Sequence, residues 1–547
     1  MNDPLLAVGT RVTPQNRPAD ARQVPNSAGG YAFKTSDEVQ IHRFLTIGTT
    51  GGTYYVSEAE LTKVNADIVL RAARDRGEWL VEQVVAVSTA GRAPRQNPGL
   101  FALAAVAGLG DETARKAALE ALPLVARTGT TLFQFVTYAK LFRGFGPALR
   151  RGISRWYLDQ DVDHLAYQMV KYRQRNGWSH RDLLRLAHPK TTGVRNALVH
   201  WGVTGNFVHP EDGPAPNLVS QFVTVQKSTD VATWVEAIQA YSLPWEALPD
   251  AALSEPKVWR ALIERGMPQT ALMRQLPRLT RLGVLDGSTL DTVTAQLTNA
   301  ERLRKARVHP VNVLVAQRTY AAGQGTSSSW TPVRQVVDAL DSAFYAAYGA
   351  VEPAGKRTLL ALDVSRSMGS PVLSGGQQRR LAWSYAAAPG TLSCREAAAA
   401  LSLVTLATEP QADVVGFTSA GSGWNTAIRE LDISPRRRLD DVVRYLTGVP
   451  FGDTDIAQPF LWAKDNRKDY DSVIVYTDNE SWAGSIHPHQ ALRQYRDFVG
   501  HDVKLIVVAL AANQFSVADP ADPSSLDICG LDAAVPNLIA DFSRGDV

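Results

Sequence analysis

Two cysteines, Cys394 and Cys529, in 547 residues are too few for a disulfide framework or a thiolate metal site, and they fit a reducing cytoplasm. No run of eighteen apolar residues offers a membrane span, and Met1 to Asp20 carries Asp3 and prolines where a signal peptide needs an apolar core. The reading is a cytoplasmic protein without membrane attachment. Charge of one sign is also scarce: 57 Lys and Arg against 54 Asp and Glu leave +3, so a polyanionic partner must be argued from where the charge sits. Core material is not lacking, with 45% hydrophobic and 20% charged residues, and the length exceeds what one core supports. Two or more globular domains are expected.

In chain order, residues 1–30 are rich in Pro, Asn, Gln and Gly and read as a flexible or surface-wrapped arm. Ser57 to Gly77 reads as a helix, with Ser57 and Glu60 as its cap and Leu61, Val64, Ile68, Val69 and Ala72 at helical spacing. From there to about 355 short amphipathic segments follow one another, broken by Gly or Pro, with almost no strand signal. Residues 31–355 therefore read as helical repeats of the HEAT or armadillo kind, or as an irregular helical domain. Over 356–547 the texture changes: the apolar runs 359–362, 412–417, 472–476 and 504–510 alternate with helical stretches, as in a doubly wound α/β domain with a parallel sheet. That domain has neither GxGxxG nor GxxxxGK[ST], so nucleotide binding by a glycine-rich loop has no support.

The run Leu359 to Leu362 ends in Asp363, with Ser365 and Ser367 at alternate positions beyond it, where an α/β sheet places ligands. Gly452, Asp453, Thr454 and Asp455 precede the strand 472–476, which delivers Thr477, Asp478, Asn479 and Glu480. Oxygen donors of this kind suit a small hard divalent cation, Mg²⁺ above all. The alternative is that they only cap helices. Their order resembles the von Willebrand factor A domain and its metal-ion-dependent adhesion site. That resemblance implies hydroxyl ligation by Ser365, Ser367 and Thr454, with Asp363 and Asp478 acting directly or through water. Asp453, where a Gly is common, and the inserted stretch Ser370 to Ser393 depart from the pattern.

Positive charge is segregated in the helical region. His164 to His200 holds Lys171, Arg173, Arg175, Arg181, Arg185, Lys190 and Arg195 against one acid, Asp182; Tyr138 to Arg155 holds Lys140, Arg143, Arg150, Arg151 and Arg155 with none. Glu301 to Arg307 adds Arg302, Arg304, Lys305 and Arg307. Lys171 and Arg175 are four apart and read as sharing a helix face ended by Gly177, while Arg181, Arg185 and His188 fall on one face of a next helix begun by Ser179 and Asp182. A lone cluster is usually a solvated face, but three favour a polyanion.

Arg43 to Ala66, Lys171 to Lys190 and Arg307 to Gln324 resemble the TROVE module of the Ro autoantigen family, which precedes an A-type domain in the same order, and the chain looks like a bacterial Ro ortholog. The resemblance implies a ring of helical repeats followed by a von Willebrand factor A-like domain. It also implies binding of small noncoding Y RNA through Lys171, Arg175 and His188, and capture of single-stranded ends of misfolded RNA in the ring cavity. A 3′-to-5′ exoribonuclease tethered through RNA, and a monomeric ring that can form oligomers on RNA, are the partner expectations. The expectation is an RNA-binding scaffold, not an enzyme, acting in noncoding RNA quality control. Its rivals are an adhesion-like module that recruits an acidic partner through the cation and, more remotely, a metal-dependent hydrolase.

Overall fold

The computed structural model describes residues 12–26, 28–34, 37–47, 67–90, 96–208, 217–325, 328–369, 372, 392–419, 427–449, 452–478, 481–510, 515–529 and 535–546. Most of the Arg43 to Ala66 motif, the first half of the helix expected from Ser57, Asn479, Glu480 and most of the stretch 370–393 lie outside them. The chain forms two compact units, one of Ala66–Ala306 with Gly323–Ala343, the other of Met1–Asn65, Arg307–Ala322 and Phe344–Val547.

Of the two readings of the N-terminal arm, flexible or surface-wrapped, residues 12–34 follow the second. Strand β1 (Gln23–Pro25) pairs antiparallel with β2 (Tyr31–Lys34), which also pairs with Phe515–Ser516 of the same unit. Gln15 explains the fixation, since its side chain is buried and fully engaged. Its Nε2 donates to Asp455 Oδ1 (2.7 Å) and to the Ile486 carbonyl (2.9 Å), and its Oε1 accepts from the Ser481 hydroxyl (2.5 Å). Gly30 and Gly484 are obligatory here, because a Cβ on either would fall 2.2 Å from the Ser481 carbonyl or from Gln15 Nε2.

The helical unit is built from short helices that pack mainly on those one or two places along the chain, as stacked repeats do. The helix Asn97–Leu109 is buried without interruption from Pro98 to Ala107 and serves as a central rod, while its neighbours Glu112–Val125 and Pro147–Leu158 are amphipathic. Caps set the boundaries: Asp111 accepts from Ala114 N, and Thr128 with Thr131 forms a reciprocal capping box. Within this unit the helix Val162–Lys171 stops four residues before Arg175. Asn176 (φ 52°) and Gly177 (φ 76°) form a tight hairpin between β3 (Gln174–Arg175) and β4 (Trp178–Ser179). Lys171 and Arg175 thus do not share a helix face; the Asn-Gly pair takes the left-handed conformation that two-residue hairpins require.

The C-terminal unit holds the sheet β11-β9-β8-β5-β6-β7, where β5 is Arg357–Asp363, β6 Gln411–Phe417, β7 Ile428–Glu430, β8 Ser472–Thr477, β9 Lys504–Ala509, β10 Phe515–Ser516 (outside this sheet) and β11 Ser525–Cys529. All neighbours are parallel except β6 and β7. Every β5 residue from Thr358 is buried, as a central strand covered on both faces requires. The chain leaves β5 for β6 on one side and later returns to β8 on the other, so the order switches at β5 and opens a crevice beyond Asp363.

Candidate nucleic-acid interface and metal centre

At the carboxyl end of β5 the structure brings Asp363, Ser365, Ser367 and Asp478 together. Asp363 Oδ1 accepts from Ser365 N and Oδ2 from the Thr477 hydroxyl, both at 2.8 Å, and the Ser365 and Ser367 hydroxyls are 3.0 Å apart. Thr454 is buried on the neighbouring loop. Thr418, just beyond β6, anchors that loop: its hydroxyl donates to the Asp453 carbonyl (2.9 Å) and accepts from Gly452 N (2.8 Å). Burial and the Asp478 charge push the Asp363 carboxyl well above the usual carboxylate range. Burial, then Asp478 and Asp363, pushes the Cys394 thiol up to about 12.

These donors fit a small hard cation. Adjacent ligands of an Mg²⁺ octahedron with bonds of about 2.1 Å stand roughly 3 Å apart, the separation of the two serine hydroxyls. Two mutually repelling buried carboxylates also gain from a positive charge between them. Among the described residues no group of three His, Cys, Asp or Glu side chains is arranged to hold a metal, so the hydroxyls would be indispensable ligands. Sequence reasoning missed three supports: Thr418, Gln15 acting through Asp455, and Arg395, which donates to the Ser365 carbonyl at 3.3 Å. A hydroxyl one residue past a buried strand was the available signal for Thr418; nothing local marks Gln15.

In the helical unit the nominated cations separate by what they already hold. Arg175 is exposed on the hairpin. Ser179 and Asp182 form the expected capping box, and the helix His180–Ala187 turns Leu183, Leu184 and Ala187 inward and Arg181 and Arg185 outward, with His188 its left-handed C-cap (φ 49°). Among the described residues the side chains of Arg175, Arg181, Arg185 and His188 have no acidic partner. Lys140 lies 5.9 Å from the centre of the Trp178 ring and so joins the hairpin.

Lys171 is more constrained. Its Nζ donates to the Tyr167 hydroxyl (2.9 Å), stands 3.8 Å from Glu246 Oε1 and lies near the Tyr167 and Tyr172 rings. Burial pulls its pKa down, but Tyr167 and Glu246 outweigh that and hold it above the ordinary value. Arg143 donates to the Ala107 carbonyl at 2.6 Å and lines a separate groove with Arg115 and Arg151. In the third cluster Arg302 donates to the Met267 carbonyl and Lys305 pairs with Glu301, both at 2.8 Å, so two of its four charges are committed to structure. His180 is core, its Nδ1 hydrogen-bonded to Tyr157 at 2.8 Å, and burial lowers its pKa to about 4.

Two family models match the chain: the Ro60 vWA domain over residues 357–543 and the TROVE domain over 24–209 and 240–324. The chain is 41% identical to the RNA-binding protein RO60 of Deinococcus radiodurans, with 100% of both covered. It is 34% identical to the RNA-binding protein RO60 of Caenorhabditis elegans, over 98% of this chain and 92% of that one. The crystal structure of the Deinococcus radiodurans RO (RSR) protein aligns with a TM-score of 0.75 at 41% identity, covering 94% of this chain and 100% of that one. No helix of the described residues is long and apolar enough to cross a membrane.

Proposed function

Because this chain belongs to the Ro family, we propose that it is an RNA-binding scaffold that holds small noncoding Y RNA on the hairpin and helix around Arg175, Arg181, Arg185 and His188. The observation that carries the reading is a surface of four basic side chains without acidic partners among the described residues, fixed by an Asn-Gly turn and a capping box. Such groups neutralise phosphates and release counterions, giving affinity that falls steeply with salt, while helical shape and unpaired ends supply selectivity. Misfolded noncoding RNA is the second class of ligand, handed to a 3′-to-5′ exoribonuclease tethered through RNA, and the working compartment is the cytoplasm. Binding rather than catalysis is the activity proposed, since hydroxyls outnumber carboxylates among the residues named for the cation site.

The test is a salt titration of Y RNA binding with Lys171, Arg175 and His188 replaced by Ala. The expected result is weaker binding and a flatter slope of log affinity against log salt, by about one for each phosphate no longer neutralised. Unchanged affinity and slope would refute the assignment. For the A domain we propose Mg²⁺ held by Ser365, Ser367 and Thr454, with Asp363 and Asp478 supporting it directly or through water. When bound, the ion would neutralise the two carboxylates and offer an open coordination position to an acidic partner group. Asp363 meanwhile orients the serine loop through Ser365 N, and Thr477 orients Asp363.

A further inference from the structure

Two of the loops that carry cation donors are bonded to each other. The loop 452–457 holds Thr454, and the loop 481–487 follows Asp478. The Thr454 carbonyl accepts from Trp482 N (3.2 Å) and Ala483 N (3.3 Å), while Ile456 N donates to the Ser481 hydroxyl (3.1 Å). Into this joint runs the N-terminal segment. The Gln15 amide bonds to both loops at once, to Asp455 on the first and to the Ser481 hydroxyl and Ile486 carbonyl on the second. Its main chain is held too: Gln15 N donates to the Gly484 carbonyl and Tyr31 N to the Gln15 carbonyl, both at 2.9 Å. Asn26 Nδ2 donates to the Ser481 carbonyl (2.8 Å), and Gln23 reaches the His487 ring at the end of the second loop (3.2 Å). Gln15, Asn26, Thr454, Asp455 and Ser481 are all buried, so bulk water does not replace a lost partner.

Anchoring a terminus does not require this arrangement; strand pairing of the kind β2 already makes would suffice. What the buried amides add is a fixed spacing between the loop of Thr454 and the loop beyond Asp478. A small hard cation is demanding in that respect, since Mg²⁺ needs a near-ideal octahedron, and the partners that orient its ligands weigh heavily on affinity. We propose that Gln15 is a positioning residue for the cation, and that the segment 12–34 is a clasp whose docking and cation binding strengthen each other. The proposal rests on the cation-site reading for Ser365, Ser367 and Thr454 and adds its regulation. Linkage makes the effect reciprocal: if the docked clasp tightens the site, the bound ion holds the clasp down by the same factor. Drawing the N-terminal segment away then lowers cation affinity, and with it the grip on an acidic group at the open coordination position.

The experiment has two arms, both on the full chain. In the first, isothermal titration calorimetry measures Mg²⁺ affinity for wild type and Gln15→Met, which keeps the side-chain length and removes the amide. The variant is expected to bind Mg²⁺ at least about fivefold more weakly, the lower end of ordinary coupling between sites. In the second, trypsin cleavage after Arg22 is followed by mass spectrometry in Mg²⁺ and in EDTA. The bond leads into Gln23, which is buried at the start of β1, so cutting it reports opening of the clasp. Mg²⁺ should slow the cut at least about fivefold in wild type and leave it unchanged in Ser365→Ala, a pattern that a merely structural anchor would not produce. Equal Mg²⁺ affinity in wild type and Gln15→Met, or a cut after Arg22 indifferent to Mg²⁺ in a wild type that binds the ion, overturns the clasp while the cation site stands. Protection that persists in Ser365→Ala places the ion elsewhere and overturns it too. If wild type binds no Mg²⁺, the cation-site reading falls and the clasp falls with it. The cleavage arm uses wild type, so it decides the matter even where Gln15→Met unfolds.

Discussion

Glu246 should act as a brake on RNA binding. At 3.8 Å from Lys171 Nζ, an effective dielectric of about 20 gives roughly 4 kcal/mol of raw attraction. Both side chains keep contact with water, being 18% and 24% exposed, and pairs of that kind net about 0.2–1 kcal/mol. A phosphate arriving at Lys171 must share or replace this partner, so it loses that amount from its own interaction. Glu246→Gln should therefore tighten RNA binding by up to about fivefold, the equivalent of roughly 1 kcal/mol. Lys171 stays protonated at neutral pH in either case, because the Tyr167 hydrogen bond remains. Anisotropy titrations with a fluorescent hairpin RNA in a double-mutant cycle would read it. The gain should vanish when Lys171 is already Ala. A gain of equal size in the Lys171→Ala background would show that Glu246 acts only as a general negative charge, and a loss of affinity would refute the displacement argument.

Gln15→Ala removes three buried hydrogen bonds, leaving the Ile486 carbonyl without its side-chain donor and Asp455 Oδ1 with only the Ala457 N bond, so urea unfolding should show a loss of about 2–3 kcal/mol; a loss below 0.5 kcal/mol would show that the segment 12–34 is not anchored there. His180, His309 and His489 are held near pKa 4 by burial, with the neighbouring His487 adding to the effect on His489. Between about 6.5, the unfolded value, and 4 the unfolded chain binds more protons, so stability should fall as pH drops through that window, and His489→Gln should flatten the fall. Asp363 has the opposite sign: its raised pKa makes the folded state the better proton binder above about 3.9, so without divalent ions its contribution weakens as pH rises. In EDTA at pH 8, Asp363→Asn should raise the melting temperature, and Mg²⁺ should raise that of wild type but not of Ser365→Ala; a null response of wild type to Mg²⁺ removes the cation proposal.

The C-terminal unit was legible because its information is local. Runs of four to seven apolar residues followed by Asp363, or by Thr477 and Asp478, name both a buried parallel strand and the donors at its end, and β5, β6, β8 and β9 lie where those runs stand. The edge strands β7 and β11 carry no such run, and β7 is largely solvated, so alternation had nothing to report. For the segment 12–34 a polar, Pro-rich composition leaves a flexible and a surface-wrapped arm both open, because the side-chain partners that fix Gln15 lie 440 or more residues away. The hairpin at Asn176 and Gly177 was legible in principle, since Asn-Gly is a strong two-residue turn signal, but the i, i+4 spacing of Lys171 and Arg175 drew the reading toward a helix.

Charge counting nominates a region but cannot rank the residues within it. Seven Lys and Arg stand between His164 and His200, and the count alone makes them equivalent. The structure separates them by their partners. Arg195 donates to the carbonyls of Tyr157 (2.7 Å) and Gln160 (2.8 Å), closing the end of the helix Pro147–Leu158, where unsatisfied carbonyls gather. Arg181 protrudes from a helix whose cap and core are complete without it. The two should therefore fail in different assays. Arg195→Ala should cost about 1.5–3 kcal/mol of stability, since two charged, part-buried hydrogen bonds to carbonyls disappear, while the folded fraction keeps its RNA salt slope. Arg181→Ala should leave the urea midpoint within about 0.5 kcal/mol of wild type and reduce the slope by about one. The reverse pattern, with Arg195 governing the slope and Arg181 the midpoint, would mean that phosphates are met by residues already committed to backbone carbonyls, and the partner-based sorting of this surface would be wrong.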